Sequence, residues 1–168
     1  MRKIKNKKGI SEIIVTVIMI GLVLALGIVV WTVVSNLVKG KLQSTESCFG
    51  NFGKLNLNSQ YTCYNNSASP KEFVFSISRG DIDVDKVIVS ISSQSVIKSY
   101  TLPAVNYTNV KMFGALLYNS SLVLPDKNGG VTYVTKDFSS PPDSIKIAPV
   151  INGQQCDPSD TLNTIENC

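Results

Sequence analysis

Histidine is absent from this 168-residue sequence. Its absence removes the commonest general base, the imidazole zinc ligand and every triad built on a histidine. Charge is scarce as well, at 17% of residues against 43% apolar, which is not the balance of a chain disordered throughout. No nucleophile elbow, P-loop, C-x-x-C pair, internal repeat or heptad series is present. No catalytic residue, resident metal or cofactor is therefore expected, and the chain is read as a non-enzyme. Positive charge is also confined. Of sixteen Lys and Arg, five (Arg2, Lys3, Lys5, Lys7, Lys8) fall in the first nine residues, and from Lys39 onward eleven cations face eleven anions. That neutral remainder carries no overall electrostatic footprint for nucleic acid.

What the chain does have is one long apolar run. Residues 13–34 read IIVTVIMIGLVLALGIVVWTVV, polar only at Thr16 and Thr32, with no charge between Glu12 and Lys39. As a helix these residues cover roughly 33 Å, enough to span a bilayer with modest tilt. A secretory signal has an apolar stretch of only about 7–15 residues before a small-residue cleavage site, so ordinary cleavage beyond the run is not expected. Five cations before the run and two soon after it place the N-terminus in the cytoplasm and the C-terminal region outside. Trp31, Val34, Val38 and Leu42 recur at spacings of three and four, so the helix is expected to continue past the bilayer over 10–46. Gly21 and Ala25 are spaced small-x-x-x-small with Gly27 close by, a pattern that lets neighbouring helices approach. Glycine is also simply common in membrane helices.

The junction before the run, KKGISEIIVTVIMIGLVLALG, places basic residues, a glycine and a short polar step directly ahead of the helix. This order resembles the class III signal peptide of archaeal type IV pilins and archaellins, over about the first thirty residues. The resemblance implies a leader of residues 1–9, cut by a membrane-embedded prepilin peptidase between Gly9 and Ile10. The mature N-terminus would then be Ile10, Ser11, Glu12. It further implies a single-pass membrane precursor that an assembly ATPase and a membrane platform protein turn into a homopolymeric surface filament. The N-terminal helix would form the filament core. Two readings of Glu12 stay open. As an acid in the first helical turn it is favoured by the macrodipole. In related bacterial pilins a glutamate, at the fifth mature position rather than the third as here, pairs with a neighbour's amine. Ser11 is placed to cap the same helix.

After Glu46 the composition shifts to Asn, Ser, Gly and Tyr, with apolar residues in short alternating sets. Phe73, Phe75 and Ile77 alternate, as do Val87, Val89 and Ile91, and further strands are expected over 95–102, 115–124, 131–135 and 144–151. The chain is thus expected to be α+β, a long apolar helix followed by a β-rich head over 47–168. About 120 residues with turn signals every 8–12 suggest an antiparallel sandwich or barrel, with an Ig-like sandwich the leading form.

Cys48, Cys63, Cys156 and Cys168 all lie in the expected exported part, where disulfides persist. Three connectivities are open to them, and the local pairs Cys48–Cys63 and Cys156–Cys168 are expected. A zinc site is the rival, weakened by the missing C-x-x-C spacing. Sequons at Asn65, Asn106 and Asn119 are candidates for N-glycosylation. Asp81, Asp83 and Asp85 alternate as in a calcium loop, but Lys86 and Ser92 stand where an EF-hand needs glycine and glutamate, so a solvated turn is expected. Arg79-Gly80-Asp81 is too short to carry an adhesion reading, and DKNGG at 126–130 reads as a hairpin turn. The rival to a filament subunit is an uncleaved single-pass protein whose head is an adhesion or ligand-binding module.

Overall fold

The computed structural model describes residues 8–50, 53–94, 96–104 and 107–168, without the side chains of 8–12, 40–47 and 49. The chain forms two compact units, Met1–Gln43 and Ser44–Cys168. Helix α1, Lys8–Phe49, carries nearly all of the first and enters the second. It exceeds the expected 10–46 at both ends. No proline interrupts it, and Gly40, worth about 1 kcal/mol against a helix, does not stop 42 residues of otherwise continuous helix. Gly50 follows the last helical residue, the usual place for a glycine stop.

Beyond it come β1 (Leu55–Leu57), β2 (Cys63–Asn65), β3 (Glu72–Arg79), β4 (Lys86–Ser93), β5 (Val96–Leu102), β6 (Val110–Met112), β7 (Gly129–Thr135), β8 (Ser144–Ile151), β9 (Gln154–Gln155), β10 (Asp160–Leu162) and β11 (Glu166–Asn167). They form two sheets, one ordered β11-β2-β3-β7-β6 with β1 also on β3, the other β10-β8-β4-β5 with β9 also on β8. Two of the edges are strands broken in the middle. β1 pairs with the second half of β3 (Leu57↔Ile77) and β2 with its first half (Cys63↔Val74). Between them a 3-10 turn at Ser59–Tyr61 bulges outward. Ser76 is served by the flanks of that turn: its carbonyl accepts from Asn58 N at 2.9 Å and its amide donates to Thr62 Oγ1 at 3.2 Å. β9 and β10 likewise follow one another along β8, with Cys156 N bonded to Pro149 O and Ser159 N to Ile147 O across the gap.

With the broken strands merged, the order β2-β3-β7-β6 against β10-β8-β4-β5 reproduces the A-B-E-D and G-F-C-C′ sheets of an immunoglobulin-like sandwich. The core lies between the sheets. Phe73, Phe75 and Ile77 of β3 and Tyr133 of β7 face Val87, Val89 and Ile91 of β4 and Ile145 and Ile147 of β8, all fully buried in one cluster. Period-two alternation puts these residues inside and Ser, Thr and Lys outside. Phe75 and Tyr133 stack with ring centroids 5.3 Å apart. The strands at the B and F positions hold no cysteine, and the single Trp31 is in the helix, so aliphatic and phenyl packing replaces the usual disulfide-tryptophan centre.

Three expectations are corrected here. Residues 115–124 form a loop, touching a strand-like partner only through the bridge Ala104↔Leu122. Leu116 and Leu117 are adjacent, so the run cannot alternate like a strand. The turn at 126–130 is present, with Gly129 N bonded to Asp126 O at 2.9 Å, but it leads from that loop into β7 and closes no hairpin between two strands. The disulfides are Cys48–Cys156 and Cys63–Cys168, with Cα atoms 5.5 and 5.1 Å apart, and not the local pairs. Parallel pairing of β11 with β2 (Glu166↔Cys63) brings Cys168 beside Cys63, which sequence proximity could not indicate.

Candidate functional site

The most unusual surface of the chain is α1. Ile13–Lys39 is long and apolar enough to cross a membrane, and every residue of it is exposed except the half-buried Ser35. Apolar side chains point outward on all sides, which water penalises and lipid or neighbouring helices accept. The hydroxyls of Thr16 and Thr32 need no outside partner. Thr16 Oγ1 donates to Ile13 O and Thr32 Oγ1 to Val29 O, both at 2.8 Å. Intrahelical bonding of backbone and hydroxyls is the condition for a segment in hydrocarbon.

On this helix Gly21 and Ala25 share a face, being four residues apart. Gly27 is two residues on from Ala25, so it projects about 160° around the axis and belongs to a different face. A Cβ at Gly21 or Gly27 would meet nothing within 4 Å, so neither glycine is required by packing inside this chain. The backbone of Gly9, Ile10, Ser11 and Glu12 lies in the first turns of α1, while the side chains of Ser11 and Glu12 and leader residues 1–7 lie outside the described residues.

In the head, the Asp81–Asp85 segment is a turn held by ion pairs. Lys127 Nζ stands 2.9 Å from Asp83 and 3.6 Å from Asp81, and its hydrogen bond holds the Asp83 carboxyl below the usual range. Asp85 points elsewhere and accepts from Gly153 N at 2.9 Å, so the three carboxylates do not converge. Among the described residues no cluster of three or more His, Cys, Asp or Glu is arranged to hold a metal. Arg79 turns inward. Its Nε and Nη2 donate to Ile82 O at 2.9 and 2.6 Å and its Nη1 to Pro125 O at 3.0 Å, so the guanidinium of the RGD triplet is spent on backbone carbonyls. Of the sequons, Asn119 is exposed and Asn65 half-buried, while Asn106 lies outside the described residues. Asn65 Oδ1 accepts from the amides of Ser67 and Ala68, which leaves its amide nitrogen out of that turn.

Sequence reasoning missed one feature of the head. Loop 113–124, with 115–124 expected as a strand, exposes Phe113, Leu116 and Leu117 to solvent. The adjacent leucines that broke the alternation were the available signal.

No family model, curated protein or solved structure matches the chain. Fold and helix together define its class: a disulfide-bonded immunoglobulin-like sandwich preceded by one apolar helix of membrane-spanning length.

Proposed function

We propose that the protein is a structural subunit, a major or minor pilin, of a type IV pilus-like surface filament, made as a membrane precursor and polymerised through α1. The observation that carries this reading is the order at the N-terminus: cations, Gly9, Ser11-Glu12, then a helix apolar on every side. An anchor needs only the last of these. A polymer subunit needs a helix that can leave lipid, and five cations on the leader oppose that exit until they are removed. Once freed, helices exchange lipid for each other without meeting water, the open face at Gly21 and Ala25 allowing close approach. Assembly then requires the prepilin peptidase, an ATPase and a platform protein, and it leaves the sandwich heads on the filament exterior.

N-terminal peptide and intact-mass analysis of membrane and sheared surface fractions tests the proposal. A chain beginning at Ile10 and enriched in the sheared fraction is expected, and Gly9→Val is expected to abolish both processing and filaments. A chain that still begins near Met1 and stays in the membrane would instead establish a permanent anchor carrying a binding head.

A further inference from the structure

Loop 113–124 keeps Phe113 69%, Leu116 96% and Leu117 75% exposed, although burying one such side chain is worth about 1.5–3 kcal/mol. The loop is held in that shape. Phe113 N donates to Thr132 O at 2.8 Å and Ala115 N to Met112 O at 3.1 Å, while Leu122 exchanges both backbone bonds with Ala104. Between these ties the Tyr118 hydroxyl donates to Glu72 Oε1 at 2.6 Å, with Lys111 and Lys136 ammoniums 4.6 and 4.4 Å from the tyrosine ring centroid. These contacts fix the loop around Tyr118 and leave its leucines projecting.

Next to the loop, on the outward face of the first sheet, Tyr61, Val74, Phe113, Thr132 and the Cys63–Cys168 bridge line a groove of about 320 Å³. That is roughly twice the ~150 Å³ apolar hole that admits a benzene ring, and so has room for two leucine side chains. Neither leucine of the same chain lines it. Charge on this face is opposite at its two ends. Glu166, exposed on edge strand β11, lies on the groove side of the sheet because Cys168, two residues on, lines the groove. At the β6–β7 end Glu72, which also lines the groove, is paired with Lys111 at 3.7 Å, and Lys136 supplies the remaining positive charge beside the Tyr118 ring.

We propose that this groove is the docking site for a second copy of the chain. Each copy inserts Leu116 and Leu117 into the other's groove about a two-fold axis, which also sets Glu166 of each against Lys136 of its mate. The acidic end decides against an anionic lipid surface, which would meet cations all round the apolar tip. The contact is between heads, uses no residue of α1, and holds equally for a processed or an unprocessed chain.

The test uses the full-length chain in phosphatidylcholine liposomes, with a photoreactive benzoylphenylalanine replacing Leu116 and with isotopically light and heavy chains mixed. Illumination is expected to give light–heavy adducts on peptides carrying Tyr61, Val74 or Phe113. Glu166→Lys is expected to lower their yield about tenfold, the size of the two exposed ion pairs that a two-fold contact loses together, and Lys136→Glu in the same chain to restore it. Leu116 touches almost nothing, so its replacement leaves the fold intact, which a non-reducing peptide map verifies. Adducts to lipid, to the same chain or to another surface of the second copy would overturn the proposal, as would the absence of any adduct.

Discussion

Four of the six tyrosines are held in their neutral form by the sandwich. Burial pushes Tyr64 and Tyr133 upward, and the latter donates to Val123 O at 2.5 Å. Burial, reinforced by the carboxylates of Asp137 and Glu72, does the same for Tyr100 and Tyr118. A phenol whose folded pKa is raised contributes its full stability below the unfolded value of 10.0 and loses it as pH climbs through the folded value. Stability of the head should therefore be insensitive to these groups up to about pH 10 and fall steeply above it. Ultraviolet titration of the phenolate band should leave Tyr100, Tyr118 and Tyr133 silent at about pH 11 until the head unfolds. Ionisation of all six with the fold retained would contradict the burial. At this scale the identity of polar residues was legible but their orientation was not. The Arg79-Gly80-Asp81 triplet does not say where its guanidinium points: Arg79 is drawn to the carbonyls of Ile82 and Pro125, and the second of these, 46 residues away, is brought beside it only by the tertiary fold.

Among the elements, long strands announced themselves and short ones did not. β3, β4 and β8 each run eight residues with buried positions alternating over much of their length, and their apolar residues show it in the sequence. β1, β2, β9, β10 and β11 have two or three residues each, too few for a period to emerge, and exist because a longer neighbour offers an edge: β3 to β1 and β2, β8 to β9 and β10, with β11 added in turn to β2. The hairpin joining β8 to β9 depends on local backbone chemistry. Asn152 and Gly153 are its two loop residues, with φ of 53° and 74°, the left-handed pair that a twisted two-residue hairpin requires. Gly153→Val should lower stability by about 1–2 kcal/mol in a denaturant titration, because a β-branched residue there must adopt a conformation it strongly avoids. A loss within a few tenths would show that the turn relaxes to another type.

At the scale of the whole molecule the two disulfides interlock. Cys48–Cys156 closes 108 residues and Cys63–Cys168 closes 105, and the spans overlap through most of the head. Peptide mapping under non-reducing conditions should recover Cys48 with Cys156 and Cys63 with Cys168, and no locally paired peptides. Replacing either pair by alanines should cost about 2–5 kcal/mol of stability, since rings this long restrict the unfolded chain heavily. The Cys48 bridge also joins the last turn of α1 covalently to the segment between β9 and β10. The end of the helix is thereby part of the sandwich unit, as the division at Ser44 reflects.

The amino-acid sequence by itself determined what depends on neighbours a few residues apart. The unbroken apolar run dictated α1 and its membrane-spanning length, alternation dictated the principal strands, and the even cysteine count in the head foretold bridges. Tertiary structure alone decided which distant segments meet. It set the broken A and G strands, the disulfide partners, the inward turn of Arg79 and the exposed leucines beside their groove. The physical reason is one of range: periodicity and turn chemistry act over a few residues, whereas sheet pairing is settled by how two faces close over a common core.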